Sequence, residues 1–167
     1  MVKIIDLYDL EVTNWHNMFS LFKSCDKSIF HESAIEGTWA PEKILRHLID
    51  VLININNNTL DTEKLESEIG INYKENPDEK ISLEEIKKEF QRINNVIRPG
   101  MEKITEEKEL ETVKLYGREN PRGPYLSYLF THNQKHFGQI IWILKRATNW
   151  SFQDIHDILN KEKKKNE

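Results

Sequence analysis

Cysteine, long apolar runs and concentrated positive charge are all scarce in this sequence. Cys25 is the single cysteine, so no intrachain disulfide can form, and we expect a reducing, cytoplasmic setting. No stretch approaches the roughly 18 consecutive apolar residues that a transmembrane helix requires. Acidic residues interrupt the first twelve positions, where a signal peptide needs an apolar segment. We therefore expect neither a membrane span nor export by a signal peptide.

A concentrated basic face, which nucleic-acid binding requires, is also missing. The chain has 24 Lys and Arg against 28 Asp and Glu, a net charge of −4, and both signs are spread along its length. The one basic cluster, Lys161 to Lys165, is interrupted by Glu162. We expect residues 160–167 to form a solvated charged tail, and neither nucleic acid nor a membrane to be a partner.

Helical periodicity dominates what is present, and 167 residues are enough for one domain with a real core. Apolar residues recur at helical spacing in four long segments. Pro41 suits the first position of the second helix, and Ser82 with Glu85 forms a capping box for the third. The predicted helices are 4–29, 41–59, 82–104 and 124–147, and Ser151 to Asp154 resembles the cap of a short helix reaching Leu159. The sequence therefore predicts an all-α four-helix bundle with a short additional C-terminal helix.

Two connections between these helices are long. Residues 60–81 are polar, with a short helix suggested by Leu65 and its apolar neighbours and breakers at Gly70, Asn76 and Pro77. Residues 108–123 contain turn-forming glycines and prolines, and Thr112 to Tyr116 is compatible with a short extended piece. We expect residues 57–81 and 108–124 to shape any pocket.

His132 and His136 lie four residues apart in the fourth helix, so their side chains share one face. That face is mostly apolar and is expected to point inward. Such a pair is common by chance, but His47 stands on the predicted inward face of the second helix. Three neutral imidazoles with one open position form a known catalytic zinc arrangement, and imidazole also suits nickel, iron or copper. The alternative is three core histidines bonded to carbonyls or to one another.

Other metal and catalytic motifs are missing. The sequence has no His-Glu-x-x-His of a zinc protease and no paired Glu-x-x-His of a di-iron bundle. It has no Gly-x-Ser-x-Gly and no phosphate-binding loop. No carboxylate or serine is placed as an obvious general base, so the catalytic residues are not assigned.

Several side chains are candidates for the surroundings of the histidines. Gln139 and Tyr128 share their face and are candidate pocket residues, although an aromatic residue at this spacing also suits a core. Asp50 is either an acceptor for an imidazole N–H or a solvated acid. His16 is a marginal fourth ligand and more simply a satisfied histidine. Gly138 is expected to permit close helix packing.

Two motifs resemble a known family. Trp39-Ala40-Pro41-Glu42-Lys43-Ile44-Leu45-Arg46-His47-Leu48 is similar to the motif in which a tryptophan opens the second helix and a histidine follows eight positions later. The run His132-x-x-x-His136-x-Gly138-Gln139-Ile140 is similar to a second motif, and order and separation agree over nearly the whole chain. The sequence thus resembles the DinB/YfiT-like superfamily, which is unrelated to the DNA polymerase of similar name.

This resemblance implies one DinB-like domain over residues 1–167, with one divalent metal ion on His47, His132 and His136. Zinc and nickel are the first expectations for the metal, with iron and manganese as alternatives. Relatives are often homodimers, so the resemblance implies a homodimer here. Some relatives are thiol-dependent transferases or isomerases, and others are hydrolases. Ala40 departs from the family's Ser or Thr cap, which should cost about 1 kcal/mol, and Phe137 stands where arginine is frequent.

Two functions from different classes follow. The first is an enzyme for a small-molecule substrate, in which the metal activates a water or the thiolate of a low-molecular-weight thiol. The second is a non-catalytic interaction module or dimer, in which the metal only braces the bundle. Because structural zinc sites usually have four protein ligands and only three are found, the sequence favours the enzyme.

Overall fold

The structure, a computed structural model, describes residues 3–69, 80–115 and 117–166. Its elements in chain order are α1 (Ile4–Lys23), α2 (Ser28–His31), α3 (Pro41–Thr59), α4 (Leu83–Glu102), α5 (Glu106–Leu110), β1 (Thr112–Leu115), β2 (Arg118–Pro121), α6 (Arg122–Thr148) and α7 (Phe152–Asn166).

The four long helices α1, α3, α4 and α6 form the bundle. Helix α1 packs against α4 and α6, and α3 packs against the same two helices. Helix α7 lies on α1, while α5 lies on α6. The predicted all-α bundle is therefore confirmed, and its histidine-bearing helices, α3 and α6, are direct neighbours.

Trp15 of α1 is at the centre of the core and is fully buried. Its ring stacks on Phe90 of α4 with centroids 4.7 Å apart. Phe137 of α6 meets the same ring edge-on at 5.7 Å. These aromatic contacts join three of the four bundle helices around one buried side chain.

The first helix is shorter than the predicted segment 4–29. It ends at Lys23, and the short α2 begins at Ser28. Asp26 Oδ1 accepts hydrogen bonds from both the amide and the hydroxyl of Ser28, each at 2.8 Å. This side-chain-to-backbone bonding competes with continuation of α1 and starts a new turn.

The short helix suggested near Leu65 is not found within residues 60–69, the part of that connection that the structure describes. Asn57 Nδ2 donates to the Leu65 carbonyl, and Asn57 Oδ1 accepts from the Leu65 amide. Asn56 Nδ2 donates to the Glu63 carbonyl. The asparagine side chains at the end of α3 thus form hydrogen bonds with backbone amides and carbonyls that would otherwise bond to each other within a helix. Gly70, Asn76 and Pro77, interpreted as breakers, lie outside the described residues.

The extended piece expected at 112–116 is β1, and it pairs with β2 as an antiparallel hairpin. Strand β1 packs on α3 and β2 packs on α6. The hairpin therefore lies across the two helices that carry the histidines.

The last helix is longer than predicted and includes most of the expected tail. Ser151 Oγ and Asp154 Oδ2 form the predicted cap, with the Ser151 amide 2.7 Å from Asp154 Oδ2. The helix then continues through Asn166. Lys and Glu are strong helix formers, so a charged segment can continue the helix without a buried face. None of the helices in the described ranges combines the length and apolar content needed to cross a membrane.

Candidate metal centre

The three predicted histidines come together at the interface between α3 and α6. His47 lies in the second turn of α3, which begins at Pro41, and His132 and His136 occupy successive turns of α6. All three side chains are half-buried. One nitrogen from each histidine can be chosen so that all three lie within 4.8 Å of one another.

The ring positions suit a shared ion. Centroid separations are 4.5 Å for His132 and His136, 5.3 Å for His47 and His132, and 5.0 Å for His47 and His136. His132 Nε2 and His136 Nε2 are 3.2 Å apart. Two imidazole nitrogens bound tetrahedrally to one zinc ion are separated by about 3.4 Å, as expected from Zn–N bonds of about 2.1 Å.

The partners of the outer ring nitrogens determine which inner nitrogens carry lone pairs. His136 Nδ1 lies 2.7 Å from Gln139 Oε1, and His132 Nδ1 lies 3.3 Å from Asn133 Oδ1. Amide oxygens accept hydrogen bonds, so both Nδ1 atoms carry the hydrogen in the neutral rings. Both Nε2 atoms then present lone pairs to each other, an arrangement that a cation between them would stabilise.

The surroundings of His47 and His136 lower the pKa of both rings. Burial lowers the pKa of His47 to about 4, and the neighbouring His136 and His132 contribute in the same direction. Burial also lowers the pKa of His136, although the hydrogen bond that its Nδ1 donates to Gln139 acts in the opposite direction. These rings are neutral near pH 7, which is the form that binds a metal.

A buried carboxyl group is connected to the histidine cluster through Asn133. Glu11 of α1 is fully buried, and its Oε1 accepts from Asn133 Nδ2 at 2.9 Å and from Trp15 Nε1 at 3.1 Å. The bond from Asn133 Nδ2 fixes the amide so that its oxygen faces His132. The sequence analysis did not identify Glu11 or Asn133 as part of the site. Glu11 could have been found, because it is an acidic residue between Tyr8 and Trp15 on the apolar face of the first helix.

Two cavities flank the histidines. The larger, of about 670 Å³, is lined by His47, Val51, Arg118, Asn120, Pro124, Tyr125, Tyr128, Leu129 and His132. The smaller, of about 310 Å³, is lined by Gly37, Thr38, Trp39, Ile44, His136, Gln139, Trp142 and Ile143. The cluster is thus open on more than one side, and both volumes suit small molecules.

The other predicted residues lie as follows. Tyr128 lines the larger cavity and Gln139 the smaller. Asp50 Oδ1 accepts from Asn54 Nδ2 at 3.0 Å, and its bond to an imidazole stays a prediction. His16 packs edge-on against Phe90 and is not a member of the group, which contains only three histidines in the described part of the chain.

Two expectations about α6 are wrong. The histidine face does not point into the core, since Tyr128 is 61% exposed and Gln139 is exposed. Phe137 and Asn133 lie on the buried face instead. Gly138 does not permit close helix packing, because a Cβ added there would meet nothing within 4 Å.

Comparison with solved structures agrees with the helical-bundle fold. The chain is similar to the crystal structure of a DinB-like protein from Bacillus cereus ATCC 10987, with a TM-score of 0.61, over 87% of this chain and 93% of that one. Sequence identity is 14%. The chain therefore has a DinB-like fold, and its three-histidine group allows a metal site. No protein-family model and no curated protein sequence matches the chain.

Proposed function

We propose that this protein is a metal-dependent enzyme in which His47, His132 and His136 hold one divalent ion. The observation that carries this proposal is the 3.2 Å separation of the two Nε2 atoms, in rings whose Nδ1 atoms each lie next to an amide oxygen. Zinc and nickel suit three neutral imidazoles best, with iron and manganese as alternatives. When bound, such an ion supplies Lewis acidity, which lowers the pKa of a water or thiol.

The open surroundings support catalysis over a purely bracing role. Structural zinc sites are usually closed by four protein ligands. In the described part of the chain, the group contains three such side chains, and cavities adjoin them. A non-catalytic, metal-braced module is therefore the less favoured alternative.

The two cavities favour a reaction between two small molecules. His47 and His132 line one cavity and His136 lines the other, so two ligands can approach the cluster from different sides. No described residue lining either cavity is a carboxylate, serine or cysteine. The Thr38 hydroxyl, which lines the smaller cavity, donates to the Ile35 carbonyl at 2.8 Å, and the phenols of Tyr125 and Tyr128 line the larger cavity. A low-molecular-weight thiol is more acidic than an alcohol or a phenol, so the proposed nucleophile is such a thiol, supplied from outside.

In the proposed transfer, the thiol gives up its proton to solvent, and its sulfur forms a bond to a carbon of the electrophile as the bond from that carbon to the leaving group breaks. The leaving group departs with the electron pair of the broken bond. If water takes the place of the thiol, the same arrangement gives hydrolysis. Assaying electrophiles with and without a panel of thiols distinguishes the two reactions.

Elemental analysis of the purified chain tests the metal site. We expect one divalent ion per chain, and its loss from a His132→Ala/His136→Ala variant that keeps its helical circular dichroism spectrum. The matched control is His16→Ala/His156→Ala, which removes two histidines outside the cluster. Full metal content in the first variant would refute the site, and equal loss in both would show that the metal binds elsewhere.

A further inference from the structure

The larger cavity has an uneven charge distribution. The chain carries more acidic than basic residues overall, yet no Asp or Glu lines this cavity in the described structure. Arg118 is its one lining residue with a permanent charge. In the described part of the chain, Arg118 takes part in none of the ion pairs. A guanidinium without a carboxylate partner beside a small cavity is suited to an anionic ligand.

The hairpin register turns Arg118 towards the cavity. Arg118 and Asn120 both line it, as expected for residues two apart on one strand. Asn120 pairs with Val113 of β1, and Val113 is buried, so this face of the hairpin lies against the bundle. Lys114 comes next on β1 and is exposed, which places it on the opposite face.

Two tyrosines form an aromatic part of the cavity lining. Tyr125 and Tyr128 lie on adjacent turns of α6 with nearly parallel rings, 6.3 Å between centroids and 15° between planes. Burial raises the pKa of Tyr125, while the positive charge of Arg118 lowers it. The guanidinium is therefore close enough to Tyr125 to influence its phenol group. The cavity therefore offers a cation at one position and an apolar surface at another.

We infer that the larger cavity binds a small organic carboxylate with an apolar body. The carboxylate accepts from Arg118, the body lies along Tyr125 and Tyr128, and its far end faces His47 and His132. This inference deepens the proposed function, because it identifies the substrate class that would reach the same histidines. Its anion-binding half does not depend on a metal and can be tested separately.

The test is titration of the full-length protein with 3-phenylpropanoate and its neutral isostere 3-phenylpropanamide, followed by ligand-observed NMR. The protein is first treated with a chelator, so that binding of the carboxylate to a metal ion does not contribute. We expect the carboxylate to bind at least fivefold more tightly than the amide, with an advantage that shrinks as salt is added.

Substitutions assign this advantage to one side chain. Arg118→Gln should lower the affinity for 3-phenylpropanoate about tenfold, the size expected for a charge-assisted hydrogen bond, and leave 3-phenylpropanamide unchanged. Arg118→Lys should recover part of the loss. The matched control is Lys114→Gln, which removes one positive charge from the other face of the same hairpin and should change neither affinity.

Three outcomes would overturn the inference: equal binding of acid and amide, no effect of Arg118→Gln, or an equal effect of Lys114→Gln. Inorganic phosphate competing as well as 3-phenylpropanoate would contradict the apolar body. Elemental analysis of protein not treated with chelator reports on the metal site independently. A chain that binds the carboxylate through Arg118 but never holds metal would keep this inference and refute the proposed enzyme.

Discussion

Asn133 Nδ2 donates a hydrogen bond to Glu11 Oε1 across 2.9 Å and ties α6 to α1 beneath the histidine cluster. The same carboxyl group has an unpartnered oxygen, since Glu11 Oε2 is buried and has no hydrogen-bond partner among the described residues. Burial raises the pKa of Glu11 to about 7, although the hydrogen bonds from Asn133 and Trp15 act in the opposite direction. This acid therefore takes up a proton far more readily in the folded chain than in the unfolded one.

Folding stability should consequently fall as pH rises through the range set by Glu11. The unfolded pKa is 4.5 and the folded value is about 7, so the folded state binds more protons between them and loses stability across this window. The difference in unfolding free energy between Glu11→Gln and the natural chain should rise by about 3 kcal/mol from pH 4 to pH 8. Urea unfolding with chelator present measures it, and a difference independent of pH would contradict the assignment.

Gln139 should influence metal affinity without affecting the fold. Its Oε1 lies 2.7 Å from His136 Nδ1 and its side chain is exposed. Gln139→Leu removes the acceptor that orients the ring and should weaken zinc binding about tenfold, with little change in Tm. Competition against a chromophoric chelator measures this affinity.

Two further variants separate orientation from general effects of substitution. Gln139→Glu keeps an acceptor next to His136 and should bind zinc at least as tightly as the natural chain. Gln153→Leu changes another exposed helical glutamine, one bonded to Asp157, and should leave the affinity unchanged. Equal zinc affinities for Gln139→Leu and the natural chain would show that His136 needs no such partner.

The uncapped start of α3 offers a gain in stability. Ala40 is the N-cap residue and its backbone is extended, but its side chain makes no capping bond. Ala40→Ser adds an oxygen that can accept from the first turn and should raise the unfolding free energy by about 1 kcal/mol. Ser82 accepts from the Glu85 amide at the start of α4, so removing its hydroxyl tests the loss of an existing cap. Ser82→Ala should lose a similar amount, and destabilisation by Ala40→Ser would show that its surroundings exclude the hydroxyl.

Phe137 should behave as a core residue despite following a proposed ligand. It is 3% exposed and contacts the Trp15 ring. Phe137→Ala should cost about 3–5 kcal/mol of unfolding free energy through lost burial and a cavity. Phe152 is 73% exposed, so the matched Phe152→Ala should cost at most about 1 kcal/mol. Similar costs for the two variants would be inconsistent with the described core.

The bundle could be predicted because its determinants are local. Helical periodicity identified the four long helices, and Pro41 and the Ser82–Glu85 box marked two of their starts. The predicted break after Thr59 is also observed. Errors occurred where side chains bond to nearby backbone: Asp26 starts a new turn at Ser28. Periodicity does not report such bonds.

The site was predicted only in part, because its surroundings depend on contacts between distant segments. The spacing of His132 and His136 predicts that they share a helix face. His47 was assigned to the same site because it lies on the predicted inward face of the second helix and matches the family's motif. Glu11 and Asn133 are 122 positions apart, a contact that no local pattern indicates. Both cavities also depend on segments outside the periodic helices, including the hairpin around Arg118.

The position of the β1–β2 hairpin across α3 and α6 has a consequence for how this protein can change. The histidines belong to helices whose opposite faces build the core, so replacing either helix would disturb the fold. The hairpin is a short separate piece of chain that touches the cavity through alternate residues only. Exchanging residues 112–121 for another hairpin of equal length should therefore alter which molecules enter the cavity and leave the histidine cluster in place.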